Sequence, residues 1–238
     1  MARQHMLYYF KIESKVDLEK INLSETLYFI KNFWEISAYT YIEIELFKYF
    51  KMNPKEEIIN CKNCILRETC GNPIPWDGNF NSKIMIIWEA PWKEEDIQGK
   101  PFVWRSGKLL TKILEELWYY RETDYYITNI VKCRPPDNRD PKPDEIKACS
   151  PFLWKQIEEM KPELIITLWR FSFNFLVPNV TISEWRWNFF KIHEINWQKL
   201  DFSPTVLAVY HPAVALYNPT KKELIKEDLS KIKQILPK

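Results

Sequence analysis

Glycine is nearly missing from this chain: 4 of 238 residues, against roughly 7% in an average protein. A turn-rich fold needs residues that take φ > 0 freely, so ordinary turn chemistry is excluded unless other residues stand where glycine belongs. Long apolar runs are absent too. Nothing approaches the roughly 18 uninterrupted apolar residues of a membrane span, and the N-terminus lacks a signal-peptide pattern. A soluble, cytoplasmic protein with no membrane partner is therefore expected. The net charge of +2 is too small to announce a nucleic-acid partner, so any such surface must come from local clustering of Lys and Arg. Five cysteines, an odd number, argue against a disulfide framework. No internal repeat or low-complexity segment is visible.

What is present is the opposite of the glycine shortage: 11 tryptophans. Otherwise 46% hydrophobic and 28% charged residues are ordinary for a soluble globular protein, and this length buries a full core in one α/β domain. Residues 1–55 carry no catalytic motif and read as an N-terminal helical appendage ended near Asn53-Pro54. From Lys83 onward short apolar runs alternate with helical segments. The runs are Lys83–Ile87, Tyr125–Thr128, Glu163–Leu168 and Thr205–Tyr210. Ser106–Leu117, Asp144–Met160 and Lys221–Leu236 read as helices between and after them. This rhythm implies a four-stranded parallel sheet covered by helices on both faces, a three-layer α/β/α sandwich.

Ligands of such sheets bind beyond the carboxyl ends of the strands. The residues placed there are Trp88-Glu89-Ala90-Pro91-Trp92, Asn129, Trp169-Arg170 and His211-Pro212. A carboxylate, an amide and an imidazole thus converge on one rim, and no lysine stands out there as a Schiff-base nucleophile. Cys61-x2-Cys64 is a metal-type pair, and Cys133 and Cys149, flanking a Pro-rich loop, complete four thiolates. Such a set suits Zn or an iron–sulfur cluster, and spacing does not separate the two. Cys70 is the spare, read as a small semi-buried residue.

These motifs, taken in order, resemble the iron–sulfur (family 4) uracil-DNA glycosylases. The resemblance runs from Cys61 to about Asp228. It comprises CxxCxL at Cys61–Leu66, WEAPWxxED at Trp88–Asp96 (GEAPGxxED in the family) and GKPFVWRSGxLL at Gly99–Leu110 (GxPFVGxxGxLL in the family). YITNIVKCRPPxNRxP at Tyr126–Pro141, Cys149-x-Pro151 and HPA at His211–Ala213 complete it. It implies a uracil-DNA glycosylase domain over 56–238 that hydrolyses the glycosidic bond of deoxyuridine, acting as a monomer on uracil-containing DNA.

The resemblance also implies roles. Asn129 reads the uracil edge, Phe102 stacks on its face, and His211 donates to O2 as negative charge builds there. Trp88, Glu89 and Ala90 line the base pocket. Glu89 is the best carboxylate for the attacking water, with Glu94, Glu95 and Asp96 nearby. Cys61, Cys64, Cys133 and Cys149 hold a structural [4Fe–4S] cluster. Lys132, Arg134, Arg139 and Lys142 grip phosphates, and Leu216 or Tyr217 enters the DNA beside the flipped base. The loop Cys133–Pro141 has no His, unlike the related cross-linking variant. A non-catalytic DNA-binding relative, or one of broader base tolerance, is the alternative.

The departures from the family pattern explain the composition. Trp88, Trp92, Trp104, Trp118 and Trp169 stand where the family usually has Gly, and Trp76 and Trp187 look similar. Independent drift would favour Ala or Ser over so large a residue. UGA is read as Trp in some genetic codes and as Gly in others, so a sequence written with UGA as Trp yields both the excess and the shortage. The made protein is then expected to carry Gly at these positions.

Overall fold

The computed structural model describes residues 54–180, 185, 188–195, 198–218 and 220–237. The appendage expected over 1–55 lies, but for Pro54 and Lys55, outside the described residues, as do Trp34, Trp187 and Trp197. Two short helices open the described chain, α1 (Pro54–Ile59) and α2 (Leu66–Thr69). The strands are β1 (Asp77–Gly78), β2 (Ile84–Trp88), β3 (Tyr126–Asn129), β4 (Leu164–Leu168), β5 (Phe189–Lys191) and β8 (Thr205–Val209), with a two-residue pair β6 (Glu194–Ile195) and β7 (Gln198–Lys199) apart from them. Between and after them lie α3 (Lys93–Gln98), α4 (Arg105–Glu116), α5 (Pro143–Met160), α6 (Arg170–Leu176), α7 (Ala213–Tyr217), α8 (Thr220–Ser230) and α9 (Ile232–Ile235).

The main sheet runs β1-β3-β2-β4-β8-β5. Its four inner strands pair in parallel, as the four apolar runs imply. The sheet is wider than that, because β1 and β5 extend it antiparallel at the two edges. β1 is only two residues, too short to leave a periodic signal.

All inner-strand positions are buried, and they split by parity. Ile84, Ile86 and Trp88 of β2 pack with Leu110, Ile113 and Leu114 of α4 and with Ile225 and Leu229 of α8. Met85 and Ile87 face the other way, toward Leu153 and Ile157 of α5 and Phe173 of α6. This is the three-layer sandwich, and each fully buried Ile, Leu or Phe contributes about 1.5–3 kcal/mol to it. The cysteines sit on the α5 side: Cys70, Cys133 and Cys149 belong to that core.

Local chemistry sets the helix ends. Pro143 opens α5, where its missing N–H costs nothing. Pro151 lies inside the same helix and frees the Lys147 carbonyl, which accepts instead from Ser150 Oγ at 3.4 Å. The expected C-terminal helix breaks at Lys231 into α8 and α9.

Helix α4 ends in a Schellman arrangement, with Tyr119 N–H on Leu114 O (2.9 Å) and Trp118 N–H on Glu115 O (2.9 Å). The residue this geometry places in the left-handed region is Trp118, at φ 69. Glycine is the residue such a cap selects, and a left-handed non-Gly residue costs about 1–2 kcal/mol. Trp118 is also 67% exposed, so little burial offsets that cost. Trp118→Gly is expected to raise stability by about 1 kcal/mol, a Tm increase of roughly 2–4 °C for a domain of this size. Calorimetry checks it, and an unchanged or lower Tm contradicts the reading of position 118 as a glycine site.

Candidate active site

Four strand ends deliver the site. β2 hands over to Glu89, β3 ends on Asn129, β4 on Trp169-Arg170, and β8 leads through Tyr210 to His211. In the order β3-β2-β4-β8 the chain crosses from one side of β2 to the other, so Glu89 and Arg170 leave the sheet at its topological switch point. The ends are tied together by backbone bonds, Ile130 N–H on Trp88 O (2.8 Å) and Val131 N–H on Glu89 O (3.1 Å).

His211 is 5% exposed, and burial holds its pKa down to about 3. It is therefore a neutral imidazole across the physiological range. The Ala213 N–H donates to its Nδ1 at 3.3 Å, which leaves the ring proton on Nε2. In this tautomer Nε2 is the ring's hydrogen-bond donor. Asn129 is fully buried, and neither its amide oxygen nor its amide nitrogen has a partner. Leaving both unmet costs about 1–3 kcal/mol each, an expense that makes sense where a ligand edge completes the pairs.

Phe102 is buried near the His211 ring, centroids 6.1 Å apart, on backbone at φ 57. That strained residue is clamped: its N–H donates to Glu95 Oε1 at 2.6 Å, and Arg121 donates to its carbonyl at 3.4 Å. Gly107 is required beside it, because a Cβ there would meet the Phe102 carbonyl oxygen at 2.1 Å.

Among the acidic residues near the rim, the structure separates roles. Glu95 is buried and also accepts the Trp92 N–H at 2.9 Å. Asp96 is buried and takes the N–H groups of Gly71 (2.9 Å) and Asn72 (3.0 Å). Both serve the backbone. Glu89 lines the pocket, and its pKa is pushed up to about 7, first by burial and then by the Asp140 carboxylate, with Arg170 opposing. Asp140 is the residue that motif reasoning passed over; a carboxylate two positions after Asn138 in a solvated loop carries no signal of its own.

A pocket bounded by Trp88, Glu89, Ala90, Pro91, Trp92, Pro135, Asn138 and Arg139 opens at this rim, with about 180 Å³ of empty space that includes open solvent, and two tryptophans form part of its wall. Trp88 is one of the pocket-lining residues, and its indole stacks on His211 with centroids 4.0 Å apart and planes at 28°. Trp92 leans on the same imidazole at 5.4 Å. Trp169, the N-cap of α6, sits at φ 80, ψ 169, a region open essentially only to glycine. Trp92 (φ −97) and Trp104 (φ −76) have ordinary backbone, so at 92 the conflict is space and not torsion.

The basic loop divides. Lys132, expected on phosphate, is corrected: it is 1% exposed, and its Nζ donates to Thr128 Oγ1 (2.7 Å), Asn129 O (2.7 Å) and Gln156 Oε1 (2.8 Å). Burial holds its pKa down to about 7, and it faces no solvent from which a phosphate could approach. Arg139 is committed to a bidentate pair with Glu145 (2.8 and 2.6 Å). Arg134 gives its Nε to Asn138 Oδ1 at 2.7 Å. In α7, Leu216 is 41% and Tyr217 89% exposed.

All five cysteines are free thiols. Among the described residues no three His, Cys, Asp or Glu converge on a single-ion site. Their chemistry nevertheless fits a larger shared group. The Cys149 thiol is pushed up to about 11 by burial, with the charges of Cys61 and Cys64 acting the same way. Cys64 is raised by burial and by Cys61. Cys133 is raised by its hydrogen bond with Cys70, then by burial and the other thiols. Buried thiols that repel one another as thiolates are stabilised by a cationic centre. Two sulfurs already accept backbone N–H groups, Cys149 from Lys132 (3.2 Å) and Cys61 from Asn63 (3.5 Å). Cys70 is nearer this group than a spare residue need be.

Residues 75–233 match the Uracil DNA glycosylase superfamily. A Type-4 uracil-DNA glycosylase of Saccharolobus solfataricus is 43% identical over 186 residues, 76% of this chain and 84% of that protein. The Type-4 uracil-DNA glycosylase of Archaeoglobus fulgidus is 40% identical over 188 residues, covering 76% and 91% respectively. That of Thermotoga maritima is 37% identical over 187 residues, covering 77% and 93%.

Proposed function

From the premise that this chain belongs to the type-4 uracil-DNA glycosylases, we propose that it hydrolyses the N-glycosidic bond of deoxyuridine in DNA, releasing uracil and leaving an abasic site. The observation that carries the site reading is Asn129: a fully buried amide with both ends unpartnered at the end of β3. Uracil offers the match. The amide N–H donates to a uracil carbonyl and the amide oxygen accepts from N3–H, whereas cytosine has no N3 proton to give. Phe102, clamped at its backbone, supplies the stacking face. His211, its ring proton on Nε2, donates toward O2 as the bond breaks, which stabilises the departing anion without prior protonation. Glu89 orients and deprotonates the attacking water.

Cys61, Cys64, Cys133 and Cys149 would hold the [4Fe–4S] cluster, which would supply a structural tie between the loop bearing Cys61 and Cys64, the loop after β3 and α5. Arg134 is the phosphate contact of that loop, Arg139 joins it only by loosening its pair with Glu145, and Leu216 or Tyr217 is the wedge beside the flipped base. The protein works as a cytoplasmic monomer on uracil-containing DNA; among the described residues no helix is long and apolar enough to cross a membrane.

The test is incubation of protein carrying Gly at 88, 92, 104, 118 and 169 with a uracil-containing oligonucleotide. Free uracil and alkali-labile abasic sites are expected. No release from protein with full iron content and 400-nm absorbance overturns the enzyme reading, and uracil binding without release favours a non-catalytic module.

The pH profile checks Glu89. A base must be ionised to act, and its pKa is raised to about 7, so kcat/KM is expected to rise with pH through about 7 and then level. Because the native pKa lies above the unfolded value, the same group favours the native state at low pH and loses that contribution as pH climbs from about 4.5 to 7. Asp140→Asn removes the charge that raises it beside burial, so the activity limb should move to lower pH. A limb that stays in place in Asp140→Asn contradicts the pairing.

A further inference from the structure

Lys132 is used by none of the steps above, yet it is a buried lysine whose side-chain nitrogen has three hydrogen-bond partners. Its ammonium has three protons and three acceptors: Thr128 Oγ1, Asn129 O and Gln156 Oε1, at 2.7, 2.7 and 2.8 Å. The acceptors are themselves anchored. Thr128 Oγ1 donates to Pro75 O at 2.8 Å, and Gln156 Nε2 to the same carbonyl at 3.3 Å. At its backbone Lys132 donates to Cys149 Sγ at 3.2 Å and accepts from Ile74 N–H at 2.7 Å. One residue thus joins the end of β3, helix α5, the segment before β1 and a cysteine of the candidate cluster.

Between the two ends of this strut lie Asn129, Ile130 and Val131. Ile130 and Val131 donate to the carbonyls of Trp88 and Glu89. The carbonyl of Asn129 is held by the ammonium, while its side-chain amide stays unpartnered. The side chain that reads the base and the loop that bears the candidate general base therefore share one short segment, pinned from below.

We propose that Lys132 is a positioning residue for uracil recognition, a buried strut that sets the Asn129 amide and the Glu89 loop relative to the cysteine-bearing α5. The inference rests on the uracil reading for its catalytic consequence, and the geometry needed for that consequence is tight: a displacement of about 1 Å can cost 100-fold in rate. Removing the ammonium while keeping the stem, as in Lys132→Met, leaves three acceptors unmet and frees the segment. DNA grip is supplied elsewhere, so DNA affinity should hold.

The experiment uses the cluster-loaded, glycine-bearing protein and compares it with Lys132→Met and Gln156→Met. For Lys132→Met we expect normal iron content and 400-nm absorbance, KM within twofold, kcat lowered about 10- to 100-fold and inhibition by free uracil weakened in step. Gln156→Met, which keeps the ammonium but removes one acceptor, should lower kcat at least threefold, and it decides the matter if Lys132→Met yields no folded protein. Hydrogen exchange at the amides of 129–131, accelerated against the rest of the sheet, is the readout independent of uracil. If the parent releases no uracil, the functional reading fails while exchange still judges the strut. Unchanged exchange at 129–131 overturns the proposal. So do kcat and uracil inhibition within twofold of the parent, or a defect confined to iron content.

Discussion

Glycine at positions 88 and 92 is expected to turn a blocked pocket into a working one, raising uracil release at least 100-fold over the chain as written. The blockage is specific. On the proposed mechanism the His211 imidazole faces a uracil carbonyl, and Trp88 lies against that ring at 4.0 Å while Trp92 leans on it at 5.4 Å. A base stacked near Phe102 and paired with Asn129 would need the space beside the imidazole that these indoles fill. Moving the buried Trp88 indole means extracting an aromatic surface of about 150–250 Å² from its packing, at roughly 25 cal/mol per Å², and the half-buried Trp92 proportionally less. That is about 4–6 kcal/mol for Trp88, enough to suppress binding by more than the stated factor. Single-turnover release by the two proteins on one uracil oligonucleotide decides it; equal rates sink the idea that the indoles obstruct the site.

The same substitution should alter His211. Its pKa is held near 3 by burial, and Trp88 is part of what buries it. Opening the pocket admits water, so the pKa should climb back toward 6.5. Because the native value is depressed, the associated stability is present above the unfolded pKa and is lost as pH falls below it; that acid sensitivity should shrink in the Trp88→Gly protein. Intact mass of the protein from its native source tests the decoding explanation directly. A mass matching tryptophan at 88, 92, 104, 118 and 169 rules it out.

How far the sequence foretold the site depends on what each residue's signal consists of. The four inner strands announce themselves because burial on both faces demands near-continuous Ile, Val and Leu, and parity then follows from the pleat. Glu89, Asn129 and His211 were legible as residues just past those runs. The edge strands were not: two or three residues such as Asp77–Gly78 and Phe189–Lys191 pair through the backbone of a neighbour already in place. Lys132 was misread because lysine in a basic loop is usually solvated. The contrary signal was its neighbours, since Ile130, Val131 and Cys133 are all buried beside it. Trp118 and Trp169 were marked by motif alone, and the backbone supplied the physical reason in their positive φ. Trp104, with ordinary torsions and 39% exposure, has no such reason in the structure.

Asn129→Leu should cost more than any other single change at the base pocket. Leucine matches the amide in shape and is already acceptable to a fully buried position, so the fold should be kept; removing two unpartnered polar atoms should even add stability, by about 1–3 kcal/mol for each. Catalysis moves the other way. Uracil would then bury a carbonyl and N3–H against apolar atoms, losing two hydrogen bonds and gaining two unmet groups. Sites built on such pairing discriminate by 10⁴–10⁵ because of that penalty, so uracil release is expected to fall by about 10³-fold, with affinity for abasic DNA unchanged. Rate and stability thus change in opposite directions, a combination that a packing role for Asn129 cannot produce. Measured together on the glycine-bearing protein, a Tm that falls along with the rate would identify Asn129 as a structural amide and return base recognition to other residues.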